Sequence, residues 1–256
     1  MKKVFIIGVG IDTTSYQAAT EQIIDWAMQR QSRYVCIANV HMIMESYDDM
    51  GFRNIVNAAD LVTPDGMPLV WMMKWQGFRK QERVYGPTLT LHVLETAERE
   101  GIPVGFFGST QETLKKLKTN LQERYPFLHI VYDYAPPFRS LTTGENMELV
   151  KTINGSGACI LFVGLGCPKQ ERWMSMNKGR IKAVMLGVGA AFDFLAGVKP
   201  QAPQWMQLAG LEWLFRLASE PHRLWRRYLY HNPRFILLGL LQLSGLGYFN
   251  SKQDPL

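Results

Sequence analysis

The sequence predicts an α/β fold in which a mostly parallel sheet is sandwiched by helices in a Rossmann-like arrangement. Two observations predict the sheet: short apolar runs of strand length recur along the chain, and amphipathic segments separate them. A third observation concerns the end of the chain, where no strand candidate follows Gly197 and aromatic residues alternate with arginines. We therefore place an α/β domain at residues 1–197 and a basic, aromatic, helical appendage at residues 198–256.

Six apolar runs give the predicted strands, and they are Val4–Val9, Tyr34–Ala38, Val104–Phe107, His129–Tyr132, Ala158–Gly164 and Ala183–Gly187. The first run follows two lysines, but it is shorter than the roughly 7–15 residues of a signal-peptide core, so we interpret it as a strand. Helices are predicted where a cap or a first-turn proline precedes an amphipathic pattern. These segments are Tyr16–Arg30, Pro87–Glu100 and Gln111–Tyr125.

Composition and charge describe an ordinary globular protein with an uneven charge distribution. The 256 residues include 28 Lys+Arg and 22 Asp+Glu, a net charge of +6, and residues 199–234 hold six of these bases but only two acids. The three cysteines form no C-x-x-C pair, which is typical of a reducing cytoplasm. The apolar stretch Phe235–Phe249 is shorter than the roughly 18 residues of a spanning helix, so it is expected to lie on a membrane rather than cross it.

Ligands of an open parallel sheet bind at the loops that follow the carboxyl ends of the strands. Four such loops carry polar or glycine-rich sequences, namely Asn39–His41, Thr63–Gly66, Gly108–Thr110 and Gly164–Glu171. Asp65 lies between a proline and a glycine, where its carboxylate is either a general base in a cleft or a turn or helix-capping residue. Asn39 either hydrogen-bonds a sugar or orients a loop, or it is a turn or helix-capping residue like the alternative for Asp65. His41 is expected to be structural, because the sequence offers it no obvious carboxylate partner.

The turn Gly164-Leu165-Gly166 could bring backbone N–H groups close to a phosphate, or it could be a tight strand-to-helix connection. It lacks the third glycine of the dinucleotide fingerprint, and the chain contains no P-loop motif. The sequence also has no D-x-D pair and no histidines at metal-ligand spacing, so we predict no metal site and no cofactor. A bound diphosphate would then be neutralised by Arg223, Arg226 and Arg227, although a basic helical face is also typical of a solvated or membrane-facing surface. Adjacent helical residues point in different directions, so only one of Arg226 and Arg227 is expected to meet a given ligand.

Several ordered segments together resemble the WecG/TagA/CpsF family of bacterial glycosyltransferases, glycosyltransferase family 26. Gly164–Glu171 matches the family's G-x-G-x-P-x-Q-E motif, and Gly187–Gly197 matches its G-V-G-x-x-F-D-x-x-A-G motif. Weaker matches extend over most of the chain, and they are Thr63–Val70, Arg83–Gly86, Ala202-Pro203, Gly210–Trp213 and Glu220–Tyr228. Two positions depart from the family pattern: Ile37 replaces a threonine two residues before Asn39, and Pro87-Thr88 stand where an aspartate commonly follows R-V-x-G.

The resemblance implies an inverting, metal-independent hexosyltransferase of cell-surface polysaccharide biosynthesis. It would move N-acetylmannosamine or its uronic acid from a UDP-sugar donor to a lipid-linked acceptor, undecaprenyl-diphosphate-linked N-acetylglucosamine. Asp65 would deprotonate the acceptor hydroxyl, Asn39 would shape the pocket, and Gln170 with the 164–166 turn would contact the nucleotide. The three tail arginines would stabilise the departing UDP. Further substrate contacts are expected in the matching segments and loops, at Gly66, Arg83, Gly108, Ser109, Gly164, Gly166, Glu171 and Asp193.

The basic, aromatic appendage fits an anionic membrane surface, which predicts a cytoplasmic protein peripheral to the inner face of the cell membrane. A nucleic-acid-binding patch is the rival use of the same residues, but it is not favoured after a complete α/β domain with pocket-like loops. The sequence allows a homo-oligomer. Two other functions remain open: a UDP-sugar-modifying epimerase or dehydrogenase, and a non-enzymatic membrane adaptor.

Overall fold

The computed structural model describes residues 1–246, so the last three residues of the apolar stretch 235–249 lie outside the described residues. Eight strands are formed, and they are β1 (Lys3–Ile6), β2 (Val9–Asp12), β3 (Arg33–Ala38), β4 (Leu61–Pro64), β5 (Val104–Gly108), β6 (Ile130–Tyr134), β7 (Ile160–Gly164) and β8 (Val184–Gly187). The helices of the α/β part are α1 (Tyr16–Met28), α2 (Val40–Asp48), α3 (Met50–Asn57), α4 (Met67–Trp75), α5 (Gly86–Arg99), α6 (Gln111–Arg124), α7 (Thr143–Ser156), α8 (Lys169–Asn177) and α9 (Ala191–Leu195). Three further helices follow, and they are α10 (Gln204–Leu208), α11 (Glu212–Ser219) and α12 (Pro221–Leu243).

The main sheet has six parallel strands in the order β4-β3-β8-β7-β5-β6, which confirms the predicted α/β class. Helices cover both faces, and two buried apolar clusters lie on opposite sides of the sheet. The central strands are buried on both faces, which is why they read as continuous apolar runs in the sequence. The predicted helices correspond to α1, α5 and α6, each within two residues at either end.

The N-terminal run Val4–Val9 was predicted as one strand, and this prediction is wrong. The chain instead forms an antiparallel hairpin of β1 and β2 outside the main sheet. Its turn consists of Ile7 and Gly8, both with positive φ (48° and 81°), as a two-residue hairpin turn of the favoured twist requires. Both strands are largely buried, so an apolar run alone could not distinguish a hairpin from a single strand.

The C-terminal helices pack onto the sheet domain next to the carboxyl edge of the sheet. Helix α12 contacts α2 and α4, with Phe235 buried in the core and Gly239 close to the Met72 sulfur. Arg234 forms a two-point ion pair with Asp48 on α2. The Gln242 side chain donates to the Phe5 carbonyl at 2.7 Å and accepts from the Ile7 N–H at 2.8 Å. Polar bonds to the hairpin and to α2 therefore fix both the position and the register of α12.

Within residues 1–246, no helix combines the length and the hydrophobicity that crossing a bilayer requires.

Candidate active site

The carboxyl ends of β3 and β4 bring Asn39 and Asp65 side by side. The two strands are in register, with Ala38 opposite Pro64, and the Ala38 carbonyl accepts the Asp65 N–H at 2.8 Å and the Gly66 N–H at 3.3 Å. Asn39 caps α2, because its side-chain oxygen accepts the Met42 N–H at 3.2 Å. Gly66 passes close to the Asn39 backbone. These bonds hold the loop after β4 rigidly against the start of α2.

Arg83 joins the Asp65 loop to the appendage. Its Nη2 lies 3.0 Å from Asp65 Oδ1 and 2.6 Å from Glu212 Oε2, and its Nε donates to the Asp65 backbone carbonyl. The guanidinium also lies over the Tyr85 ring, 4.1 Å from the ring centroid. All three charged side chains are only about 15% exposed, so one buried cation is shared between two carboxylates.

The Asp65 carboxyl has a pKa raised to about 6, mainly because burial disfavours its charged form. Glu212 raises the pKa further, while the Arg83 charge opposes both effects. Within the described chain only Oδ1 is hydrogen-bonded, by Arg83. A methyl group added at Gly86 would contact both the Ile37 side chain and Asp65 Oδ2. The surroundings of the carboxyl group next to Ile37 are therefore apolar. Asp65 therefore offers one unbonded oxygen that is poised to take up a proton near neutral pH.

Asp65 lies in the wall of a cavity of about 470 Å³ between the carboxyl edge of the sheet and α10–α12. The polar end of this cavity includes Asn39, Asp65, Gly66 and Arg83. The opposite end is apolar and lies between α4 and α12, where the walls are formed by Trp71, Met72, Trp75, Ile236, Gly239, Leu240 and Leu243. A volume of this size fits a substrate-binding cleft rather than a packing defect.

Two arginines enter the same cavity without an acidic partner. Arg216 on α11 and Arg227 on α12 both line it, and neither forms an ion pair with an acid of residues 1–246. The Arg227 Nε is buried without a hydrogen bond, and burial together with the nearby Arg216 lowers the pKa of its guanidinium. Two unpaired cations beside one cavity favour an anionic ligand there, because uncompensated buried charge is unfavourable.

His41 also lines the cavity, and the structure gives it the carboxylate partner that the sequence did not show. Its Nδ1 lies 3.7 Å from Glu45 Oε1, one turn further along α2. His231 of α12 approaches the same oxygen through Nε2 at 3.5 Å. Burial and the Arg227 charge lower the pKa of His41 to about 3, and burial also lowers the pKa of His231. Both rings are therefore neutral at pH 7.

The glycine-rich loops lie on the other half of the same sheet edge. Gly108 ends β5 and Gly164 ends β7, and the two backbones approach so closely that a Cβ on Gly108 would lie 2.5 Å from the Gly164 carbonyl carbon. Ser109 has φ 59° and donates its N–H to the Gly164 carbonyl at 3.1 Å. These residues do not line the cavity of Asp65, so the edge of the sheet has two separate sets of loop residues.

Gln170 and Glu171 are buried beneath the glycine turns. The Gln170 oxygen accepts the Gly166 N–H at 3.1 Å, its amide nitrogen donates to Glu171 Oε1 at 2.8 Å, and the side chain packs under Gly187. Burial raises the pKa of Glu171 to about 7, and its Oε2 has no hydrogen bond to the described residues. Gln170 therefore connects the 164–166 and 187–189 turns from inside the protein.

The remaining predicted site residues lie outside the cavity. Asp193 pairs with Lys199 at 2.8 Å, Lys199 pairs with Glu220 at 3.1 Å, and Glu220 pairs with Arg223. Asp193 and Arg223 thus belong to one ion network that connects α9 to the start of α12. Arg226 is exposed and lies over the Trp225 ring, so it points away from the cavity that its neighbour Arg227 lines.

Several residues that line the cavity or contact its lining residues were not among the sequence candidates. Glu212, Tyr85 and Arg216 carry the charges and hydrogen bonds around Arg83 and Asp65, and Glu45 and His231 face His41. Glu212 lies in the Gly210–Trp213 segment that resembles the family, and this was the one available signal for it. Its contact with Arg83 spans 129 residues, which no local pattern could predict.

Comparison with known proteins gives concordant matches. The sequence model of the "Glycosyl transferase WecG/TagA/CpsF family" matches residues 4–246. A Bacillus subtilis protein named N-acetylglucosaminyldiphosphoundecaprenol N-acetyl-beta-D-mannosaminyltransferase is 25% identical over 227 residues, which is 88% of this chain and 86% of the relative. A Bacillus spizizenii protein of the same name is 27% identical over 202 residues, covering 78% and 76% of the two chains.

The raised pKa of Asp65 predicts that Asp65→Asn stabilises the protein at pH 7. The pKa of Asp65 rises from 3.8 in the unfolded chain to about 6 in the folded protein, so the folded state binds more protons. The protonated carboxyl therefore favours folding at low pH, and this contribution is lost as the pH rises from about 4 to about 6. We expect the variant to gain about 1–3 kcal/mol in free energy of unfolding at pH 7, and none at pH 4. Urea unfolding at both pH values measures this difference.

Asp133→Asn is the matched control, because Asp133 pairs with Lys118 on the partly exposed edge of the sheet. It should lose no more than about 1 kcal/mol. A loss of stability for Asp65→Asn at pH 7 would contradict the assignment of a buried carboxyl group whose ionised form is unfavourable in the folded protein.

Proposed function

The chain belongs to the WecG/TagA/CpsF family of glycosyl transferases, and from that premise we propose that it transfers N-acetylmannosamine from UDP to undecaprenyl-diphosphate-linked N-acetylglucosamine. The names of the two Bacillus relatives support this donor sugar and this acceptor. The observation that carries the proposal is Asp65, which lines a cavity together with arginines that have no acidic partner and has one carboxylate oxygen without a hydrogen bond to the described residues.

Asp65 acts as the general base of an inverting transfer. Its Oδ2 takes the proton from the acceptor hydroxyl while the hydroxyl oxygen bonds to the anomeric carbon, and the bond from that carbon to the diphosphate breaks. Arg83 holds Oδ1 and the Asp65 backbone, so the free oxygen keeps a fixed position. A base with a pKa of about 6 is ionised at pH 7 and still basic enough to accept the proton.

Arg227 and Arg216 stabilise the negative charge that builds up on the departing UDP. Both side chains line the cavity and lack an acidic partner among the described residues, so their charge is available to a diphosphate. Fixed cations of this kind can replace a divalent ion in stabilising a leaving group. Asn39 and Gly66 shape the polar end of the cavity beside the base. Arg223 and Arg226 act outside this cavity, Arg223 through the Asp193–Lys199–Glu220 network.

The nucleotide extends towards the second set of loop residues, at the ends of β5 and β7. Gly108 and Ser109 form a close backbone contact with Gly164, which leaves little side-chain bulk at this part of the edge. Gln170 and Glu171 position the Gly166 turn from beneath, because both side chains are buried and bond to the turn or to each other. This assignment gives the glycine-rich motif a role in shaping a nucleotide-binding surface.

We propose that residues 198–256 act as a membrane-associating appendage to an α/β catalytic domain of residues 1–197; residues 247–256 lie outside the described residues. Its helices expose large apolar side chains, and these include Leu208, Trp225, Leu229, Tyr230 and Leu237. Such a surface suits the headgroup region of an anionic membrane. We propose a peripheral location on the inner face of the cell membrane, where the lipid-linked acceptor is reached. The exposed edge strand β6 with Phe127 and Phe138 would offer an apolar surface for a homo-oligomer.

The first experiment measures UDP release by the full-length protein with a panel of UDP-sugars, a short-chain diphosphate-linked N-acetylglucosamine acceptor and EDTA. We expect acceptor-dependent release that survives EDTA, with UDP-N-acetylmannosamine preferred to its uronic acid. Asp65→Asn should lower kcat by at least about 10²-fold, and kcat/KM of the wild type should fall about tenfold per pH unit below pH 6.

Asp133→Asn, which lies outside the cavity, should keep the wild-type rate. No release with any donor, or release that EDTA abolishes, would overturn the proposed reaction. Full retention of function in Asp65→Asn would instead favour the membrane adaptor.

A second experiment uses the neighbouring arginines Arg227 and Arg226 as a matched pair. Arg227→Gln removes a cation from the cavity and should lower kcat by about 10²-fold, because the leaving group loses its stabilisation. Arg226→Gln alters an exposed residue of the same helix and should stay within about twofold of the wild type. Equal effects of the two substitutions would contradict the assignment.

A third experiment tests the membrane surface with vesicles of defined lipid charge. Binding to anionic vesicles should weaken with salt, and Leu237→Glu should weaken it at least about tenfold, because an exposed leucine of α12 would no longer enter the lipid. Met28→Glu changes a similarly exposed apolar residue far along the chain from the appendage and should have no effect. Oligonucleotide binding of similar strength would favour the nucleic-acid interpretation instead.

A further inference from the structure

Two histidines and one glutamate converge at the contact between α2 and α12. His41 and Glu45 are one turn apart on α2, and His231 faces them from α12. One ligand atom from each side chain lies within 4.8 Å of the other two. The proposed transfer reaction uses none of these three side chains, although both histidines line the wall of the cavity.

The His231 imidazole is buried, the His41 imidazole is partly buried, and both are incompletely hydrogen-bonded. His231 is 8% exposed, and the Nδ1 atoms of both rings are buried without a hydrogen bond to any described residue. The backbone of Cys167 also interacts with His41 and opposes the lowering of its pKa. The Nδ1 atom of His41 faces Glu45 at 3.7 Å, beyond hydrogen-bond distance.

The spacing of the three groups matches the coordination of a small transition-metal ion. Bonds of about 2.0–2.1 Å in a tetrahedral site separate neighbouring ligand atoms by about 3.4 Å. The observed separations are 3.7 Å from His41 Nδ1 to Glu45 Oε1 and 3.5 Å from His231 Nε2 to the same oxygen. Small side-chain rotations would therefore suffice to close the site around an ion.

We propose that His41, Glu45 and His231 form a three-ligand site for a divalent transition metal of the zinc type, which clamps α12 to α2. Two neutral imidazoles and one carboxylate are a ligand set for zinc, whereas magnesium and calcium prefer oxygen ligands alone. The fourth position would take water or an anion.

The metal would hold the appendage in place and would not enter the transfer reaction. Its ligands come from one helix of the sheet domain and one of the appendage, so binding adds a cross-link to the Arg234–Asp48 ion pair that already connects α12 and α2. Without metal this ion pair, the burial of Phe235 and the bonds of Gln242 still dock the helix. The nearby Arg227 limits the affinity, because its charge repels a cation.

The test uses the full-length protein, stripped of metal with a chelator and titrated with Co²⁺ and then Zn²⁺. We expect one equivalent of Co²⁺ to give the visible absorption of a tetrahedral site, and Zn²⁺ to abolish this absorption. Glu45→Gln and His231→Gln should each weaken binding at least about tenfold, and His222→Gln should not. His222 is the matched control, since it is an exposed histidine of the same helix.

Hydrogen exchange supplies a readout that is independent of activity. Zn²⁺ should slow amide exchange in α12 of the wild type and leave exchange in Glu45→Gln unchanged. Circular dichroism in chelator first checks that the variants are folded, and Glu45, whose side chain is 32% exposed, carries the test if His231→Gln does not fold. Absence of the tetrahedral Co²⁺ spectrum, or an equal spectrum in Glu45→Gln, would overturn the proposal.

Discussion

The bond network of Arg83 is the interaction on which the arrangement of the site depends. This guanidinium is held between Asp65, at the end of a strand, and Glu212, at the start of α11. It lowers the pKa of a carboxyl that burial alone would raise further, and it also fixes the backbone of the Asp65 loop. Because the same side chain contacts the sheet domain and the appendage, the electrostatic state of Asp65 and the closure of the cavity are physically coupled.

The two parts of the cavity differ in origin and in charge. The carboxyl edge of the sheet contributes Asp65 and Asn39 on a loop braced by backbone hydrogen bonds, whereas α11 and α12 contribute Arg216 and Arg227. The proposed anionic ligand would therefore meet these unpaired cations only with α11 and α12 docked on the sheet. Docking is secured away from these cations, by Arg234–Asp48, by the Gln242 bonds to the hairpin and by burial of Phe235. Docking therefore does not use the positive charge of Arg227, which remains available to the proposed ligand.

Local patterns were sufficient for much of the fold and for the location of Asp65 at the edge of the sheet. Continuous apolar runs identified five strands of the main sheet. Strands buried on both faces, such as β3, β5 and β7, have no polar alternation to obscure the run, whereas the edge strand β6 is partly exposed. The position of Asp65 after a strand placed it at the carboxyl edge. The hairpin of β1 and β2 was missed because its turn contains one isoleucine in a left-handed conformation, which no local preference predicts.

Pro87-Thr88, a departure from the family pattern, forms the first turn of α5, with Thr88 hydrogen-bonded to Tyr16.

The sequence by itself determined the α/β class, the order of the strand-end loops and the family resemblance, since these depend on periodicity and on motifs within short segments. Only the tertiary structure decided which loop residues share a cavity. It separated Asn39 and Asp65 from Gly108 and Gly164, and it brought Glu212 to Arg83 and His231 to Glu45. The physical reason is that such contacts depend on the docking of α11 and α12, which is set by packing and ion pairs between residues more than a hundred positions apart.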